Sequence, residues 1–167
     1  ETVAEEYYFN EIPFVYRTHE EPDSEKIESV FSMIRAGKIK VKKAKENVSP
    51  KEIQQVLKEI EGLECEPFFA RLLLRSMKQA KYTTDCIGHF GLAARYYCHF
   101  TSPIRRYPDL QIHRIIKENL RGGLSEKRTA HYDKLLTGVS VQTSAMERRA
   151  DEAERETVKM KKCEYMA

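Results

Sequence analysis

One stretch, His99-Phe100-Thr101-Ser102-Pro103-Ile104-Arg105-Arg106-Tyr107-Pro108-Asp109-Leu110, constrains this chain more than any other. Thr101 and Ser102 are residue types that cap helices, and Pro103 follows where a helix tolerates proline. Beyond them Leu110, Ile112, Ile115, Ile116 and Leu120 recur at helical spacing, and Gly122-Gly123 ends the run. The pattern predicts a helix that starts between Ser102 and Pro108, with Arg105 and Arg106 in its first turn. Cations are disfavoured there, because a helix N-terminus already carries partial positive charge. Either an anion is bound, with free N–H groups and guanidinium forks converging on one phosphate, or the arginines pair with acidic side chains elsewhere.

The rest of the chain reads as helices around a little strand. Glu1 to Phe9 reads as the end of a helix, and Phe14 to Arg17 as a short extended piece leading to a loop at His19–Pro22. Asp23 caps a helix whose stripe is Ile27, Val30, Phe31 and Ile34, with Gly37 ending it. Lys38 to Lys45 reads as a solvated basic connector. Ser49-Pro50-Lys51-Glu52 is a capping box opening a helix with Ile53, Val56, Leu57 and Ile60 inward. Pro67 opens another, with Phe69, Leu72, Leu73 and Met77 inward and Arg71, Arg75 and Lys78 outward. From Tyr82 the period changes. Tyr82–Thr84, His89–Leu92 and Tyr96–Phe100 combine β-formers with glycine turns, so two or three short strands are expected. After Ser125 a helix carries Tyr132, Leu135, Leu136 and Val139. Ser144-Ala145-Met146-Glu147 looks like a second capping box, which predicts a separate long helix from there to the end. With six acidic and six basic residues from Glu147 to Ala167, that helix reads as a solvated, salt-bridged surface element. The fold class is therefore α+β: a mainly helical fragment whose strands complete a sheet supplied by other sequence.

At 167 residues the chain is long enough to bury a core. It opens inside a helical pattern and ends without a closing signal, so it reads as a fragment. No apolar run approaches a membrane span, and no leader precedes a cleavage site, so neither membrane insertion nor export is expected. The four cysteines are dispersed, which suits free thiols in a reducing cytosol, and the Cys98/His99/His113 spacing matches no recognised zinc arrangement. Net charge is only +3, but seven of eight charged residues between Pro67 and Pro108 are basic. Interleaved with Tyr82, Tyr96, Tyr97, Phe100 and Tyr107, such a zone suits a single-strand nucleic-acid channel; each aromatic taken singly reads as core packing instead.

The strings Gly88-His89-Phe90-Gly91-Leu92-Ala93, Tyr97 through Leu110 and His113-Arg114 together resemble the signature of the RNB family of exoribonucleases, on its bacterial branch. Glu1–Glu5, Phe14–Arg17 and Glu147–Ala153 resemble family segments in family order, so the likeness covers residues 1–167. It implies the C-terminal part of an RNB catalytic domain, without the aspartate-bearing half or the flanking OB-type RNA-binding domains. It also implies a 3′-to-5′ hydrolytic enzyme that releases nucleoside 5′-monophosphates from RNA, using magnesium held by an aspartate cluster. The aspartates here, Asp23, Asp85, Asp109, Asp133 and Asp151, are scattered. The isolated chain is accordingly expected to hold no magnesium and to be inactive. By resemblance Arg105 clamps the scissile phosphate. Ser102, Arg106, Tyr107, His113 and Arg114 accompany it on the motif, and Glu154 matches a carboxylate near the 3′-terminal nucleotide. Tyr107 reads as packing rather than stacking, His113 and Arg114 as contacting phosphate or orienting the loop, and Asp109 as a helix-terminus residue or a structural partner of an arginine rather than a metal ligand.

The expected partners are single-stranded RNA and the remainder of the same catalytic domain, in the cytoplasm, with no membrane and no DNA substrate. Two other readings stay open: a non-catalytic RNA-binding module, supported by charge and aromatics, and a helical protein-interaction domain, supported by the capping boxes and the balanced last helix.

Overall fold

A computed structural model describes residues 1–42, 44, 46 and 48–166. Its elements, in chain order, are α1 (Thr2–Phe9), β1 (Tyr16–Thr18), α2 (Ser24–Ala36), α3 (Pro50–Ile60), α4 (Glu66–Ser76), β2 (Lys81–Thr83), a 3₁₀ turn (Phe90–Leu92), α5 (Tyr107–Leu120) and α6 (Glu126–Met166). β1 and β2 pair in a two-stranded sheet. The α+β, mainly helical class is as expected from the sequence. The chain divides into two compact units, the first comprising Glu1–Arg17, Lys81–Cys86 and Tyr96–Ala167, the second Thr18–Ala80 and Ile87–Arg95.

The second unit is built on the helical stripes. Asp23 accepts from the Glu25 and Lys26 N–H groups at the start of α2, and the Ser49/Glu52 capping box forms as its spacing requires. Ile27, Val30, Phe31 and Ile34 of α2 close a core with Ile53, Val56 and Ile60 of α3, and with Phe69 and Leu73 of α4. Leu57, assigned to the α3 stripe, is instead exposed, because three residues per two turns already fill that face. The Lys38–Lys45 connector reading extends over residues 43 and 45, which lie outside the described residues. The strand expected at His89–Leu92 does not form. Gly88 and Ala93 both take positive φ (84° and 54°), which folds the segment back on itself, so that His89 and Ala94 bond each other. Only isolated bridges remain at His89, and the next residues wind into the 3₁₀ turn.

The first unit packs Ala4 and Tyr7 of α1, Phe14, Val15 and Tyr16, and Tyr82 of β2 against Ile112 and Ile115 of α5 and Tyr132 and Leu136 of α6. Tyr96–Phe100 runs beside β1 without becoming a strand; the Arg17 N–H donates to the Tyr97 carbonyl at 2.9 Å. α6 is one 41-residue helix, not two. The supposed second cap, Ser144, sits buried in mid-helix, where its hydroxyl donates to the Ser140 carbonyl (2.8 Å) and accepts from the Tyr82 backbone N–H (2.9 Å). The serine therefore fastens β2 to α6 sideways instead of starting a helix. Where α5 meets α6, Glu118 takes a two-pronged contact from Arg128 (2.6 and 2.8 Å) and a third bond from the Tyr132 hydroxyl (2.8 Å).

Two outcomes follow from these ties. Ser144→Ala should lower stability by about 1–3 kcal/mol in urea unfolding, since the buried Tyr82 N–H loses its acceptor; a helix start at Ser144 would make the cost a capping loss that Ser144→Asp restores. The Arg128 contact, aided by Tyr132, lowers the Glu118 carboxyl from 4.5 to about 2. A depressed carboxylate adds stability that is complete above its unfolded value near 4.5 and disappears as pH falls through about 2. Unfolding midpoints measured across that window should fall less steeply in Glu118→Gln than in the parent, and the two proteins should converge at the acid end.

Candidate functional site

The motif loop is organised by one buried carboxylate. Asp109 stands in the first turn of α5 with no solvent exposure. Its Oδ2 accepts from the Ser102 backbone N–H (2.9 Å) and from the Arg106 Nε and Nη2 (3.1 and 2.8 Å). The Arg105 and Arg106 N–H groups in turn donate to the Ser102 carbonyl (3.3 and 3.0 Å). Residues 102–106 are thus a closed turn, gripped at both ends by the same oxygen. α5 begins at Tyr107, with Arg106 as its N-cap and Pro108 within its first turn. The arginines accordingly precede the helix instead of occupying its first turn, and the anion at its N-terminus is the protein's own Asp109.

That arrangement separates the two arginines. Arg106 is committed to Asp109. Arg105 is exposed and forms no ion pair with any described residue. Both line a cleft of about 460 Å³ together with Tyr82, Tyr107, Pro108, Thr143, Met146, Glu147, Ala150 and Asp151. Tyr107, read as packing, is 47% exposed and offers its ring to this cleft, because it opens α5 ahead of the buried stripe. His113 packs on the loop: its Nε2 bonds the Phe100 carbonyl at 2.8 Å and its ring stacks on Phe100 at 4.5 Å. Arg114 is exposed on α5, and Glu154 is exposed on α6 two turns past Glu147; neither lines the cleft.

Two carboxylates that sequence reasoning passed over, Glu147 and Asp151, do line it. Thr143, Met146, Glu147, Ala150 and Asp151 recur at i, i+3, i+4, i+7 and i+8, so the helical face was visible, but the supposed cap at Ser144 hid its continuity. Glu147 is bound by Arg17 at 2.6 Å, and the Arg17 guanidinium lies 4.6 Å from the centre of the Tyr82 ring. The Tyr82 hydroxyl bonds His99 Nδ1 at 2.9 Å. Burial first, and then the nearby Glu147 charge, push the Tyr82 phenol above its ordinary value, so it stays protonated at neutral pH. Chemically the cleft offers one uncommitted guanidinium, aromatic surface and two carboxylates at its α6 side.

A magnesium cage is a different arrangement. Among the described residues no group of three or more His, Cys, Asp or Glu is placed to hold a metal ion. Asp109 is enclosed by its loop, and Glu147 is tied to Arg17. The described residues of this chain do not fit the metal. Burial raises the Cys98 thiol to about 11, which leaves it a protonated core group. None of the described helices is long and apolar enough to cross a membrane.

The family described as the RNB domain matches residues 1–122. Ribonuclease R of Thermotoga maritima is 43% identical over 169 residues, taking in 100% of this chain and 24% of its own length. Ribonuclease R 1 of Lactococcus lactis is 39% identical over 166 residues, covering 99% of this chain and 20% of the relative. Among solved structures, the RNase R of Mycoplasma genitalium in complex with ribose methylated single-stranded RNA is similar at a TM-score of 0.83 and 29% identity, over 93% of this chain and 25% of that one. The chain therefore spans only a fifth to a quarter of the proteins it resembles. With the family match running through α5 and its motif loop, the chain belongs to the RNB family.

Proposed function

We propose that this chain forms the phosphate-engaging part of a 3′-to-5′ hydrolytic exoribonuclease acting on single-stranded RNA and releasing nucleoside 5′-monophosphates. The observation that carries this reading is the split between the arginines: the Asp109 lock commits Arg106 and leaves Arg105 exposed at the cleft, in no ion pair with any described residue. A planar, permanently charged fork held on a pinned loop is suited to stabilising charge that grows on a phosphate during cleavage. Tyr107 beside it supplies a ring face for a base. The RNA named with the similar Mycoplasma structure supports the choice of ligand. On this reading the chain is the C-terminal part of an RNB catalytic domain. Magnesium and its carboxylates belong to the remainder of that domain, which is also its physical partner, and the OB-type domains flank it. The isolated chain has no nuclease activity. A cytoplasmic setting is supported by four free thiols.

The test uses the full-length protein that contains this chain. Arg105→Ala should slow single-turnover cleavage on the order of 10²–10³-fold, with a much smaller loss of affinity measured in chelator. Arg105→Lys should recover little, since lysine keeps charge but not the planar fork. Arg106→Ala should behave differently, lowering the unfolding midpoint because the buried Asp109 loses its counter-charge. Weak binding with normal cleavage of bound RNA by Arg105→Ala would make Arg105 a binding residue only, contrary to the proposal.

The RNA path is tested apart from the chemistry. Arg71 and Arg75 are exposed on α4, whereas Lys78 is paired with Glu20 at 2.9 Å. If each of the two arginines meets a phosphate, its change to alanine should flatten the log–log salt dependence of binding by about 0.7, with Lys78→Ala giving less. Parental slopes for both arginine variants would leave them as ordinary surface.

A further inference from the structure

We infer that Arg17 is a positioning residue for phosphate binding: by neutralising Glu147 it keeps the cleft receptive to an anion at Arg105. The inference rests on the reading of Arg105 given above. Its ground is the arrangement of charges around the cleft. Arg106 and Asp109 cancel each other in a closed pair. What is left lining the cleft is one cation, Arg105, facing two carboxylates, Glu147 and Asp151. Left so, the cleft would carry a surplus of negative charge and would repel the phosphate it has to accept. Arg17 removes that surplus from behind the wall. It is not among the cleft-lining residues, its side chain is 13% exposed, and its Nη1 lies 2.6 Å from Glu147 Oε2.

The placement of Arg17 is itself determined. Its backbone N–H is bonded to the Tyr97 carbonyl, and its guanidinium lies over the ring of Tyr82. Tyr82 is held in turn by Ser144 through its backbone and by His99 through its hydroxyl. Ser144 precedes Glu147 by three residues, so the same stretch of α6 holds the strand that carries Tyr82 and presents the carboxylate. The guanidinium is therefore fixed between an aromatic face and a carboxylate. A partly buried charge acts on a bound anion through space without touching it.

The experiment is a charge-rescue cycle in the full-length protein, reading affinity for a single-stranded oligoadenylate in excess chelator. Arg17→Gln should weaken binding roughly tenfold at low ionic strength, with the loss shrinking as salt rises. Arg17→Lys should retain most of the affinity. Glu147→Gln placed on top of Arg17→Gln should return binding to within about twofold of the parent, because the unmatched carboxylate is gone. A purely structural role for Arg17 predicts a lower unfolding midpoint in both the single and the double variant and no rescue of affinity. Either unchanged affinity in Arg17→Gln or a double variant as weak as the single overturns the inference. The Arg105→Ala cleavage rate separates the two claims: a normal rate overturns the reading of Arg105, whereas a slow rate with failed rescue overturns only the role of Arg17.

Discussion

The buried carboxylate of Asp109 is the constraint on which the site depends. A fully enclosed carboxylate is costly unless donors surround it, and here one oxygen collects a backbone N–H and two guanidinium N–H groups. Those donors come from Ser102 and Arg106, the two ends of the turn that carries Arg105. The electrostatic requirement of one residue thus dictates the shape of its neighbours. It also assigns the arginines: one is held inside by charge and geometry, and the other remains at the surface because the turn has no second acid to offer. His113, one turn further along α5, fixes the approach to the turn through the Phe100 carbonyl and ring.

α6 carries the other wall, and its continuity matters more than its length. A helix that restarted at Ser144 would change the rotational phase of everything beyond it, so Thr143 and Glu147 would no longer share a face. The single helix keeps them in register, with Ser144 bonded to β2 and Glu147 bonded to the residue that stacks on β2. The cleft is in this sense a product of one helix face, one strand residue and one locked turn. Farther along α6 the side chains are exposed, and the i,i+3 ion pair of Lys161 with Glu164 is of the kind that contributes little.

Much of the fold was legible in advance. The stripes of α2, α3 and α4 reappear as the core of the second unit, the Asp23 and Ser49 caps form, and Asp109 is the arginine partner that its place in the motif suggested. The misreadings share a cause. Ser144 has the spacing of a cap, His89–Leu92 and Tyr96–Phe100 have strand composition, and Thr101-Ser102-Pro103 suggests that the arginines lie inside the helix. Each is a residue-type signal that a contact formed on folding overrules. Tyr82 supplies a donor to the Ser144 hydroxyl, the Gly88 and Ala93 turns fold His89 back on Ala94, and Asp109 draws the turn tight so that the helix waits until Tyr107.

The sequence by itself determined the helical frame and the motif that places this chain in its family, because amphipathic period, caps and an unbroken run of residue types are all local properties. It also carried both arginines and both cleft carboxylates in plain view. What only the tertiary structure decided is which of them are neutralised. Arg17 meets Glu147 across 130 residues of chain, and Arg106 meets Asp109 instead of solvent. Charge pairing depends on distance in space and on the burial of each partner, and neither quantity is written in residue order.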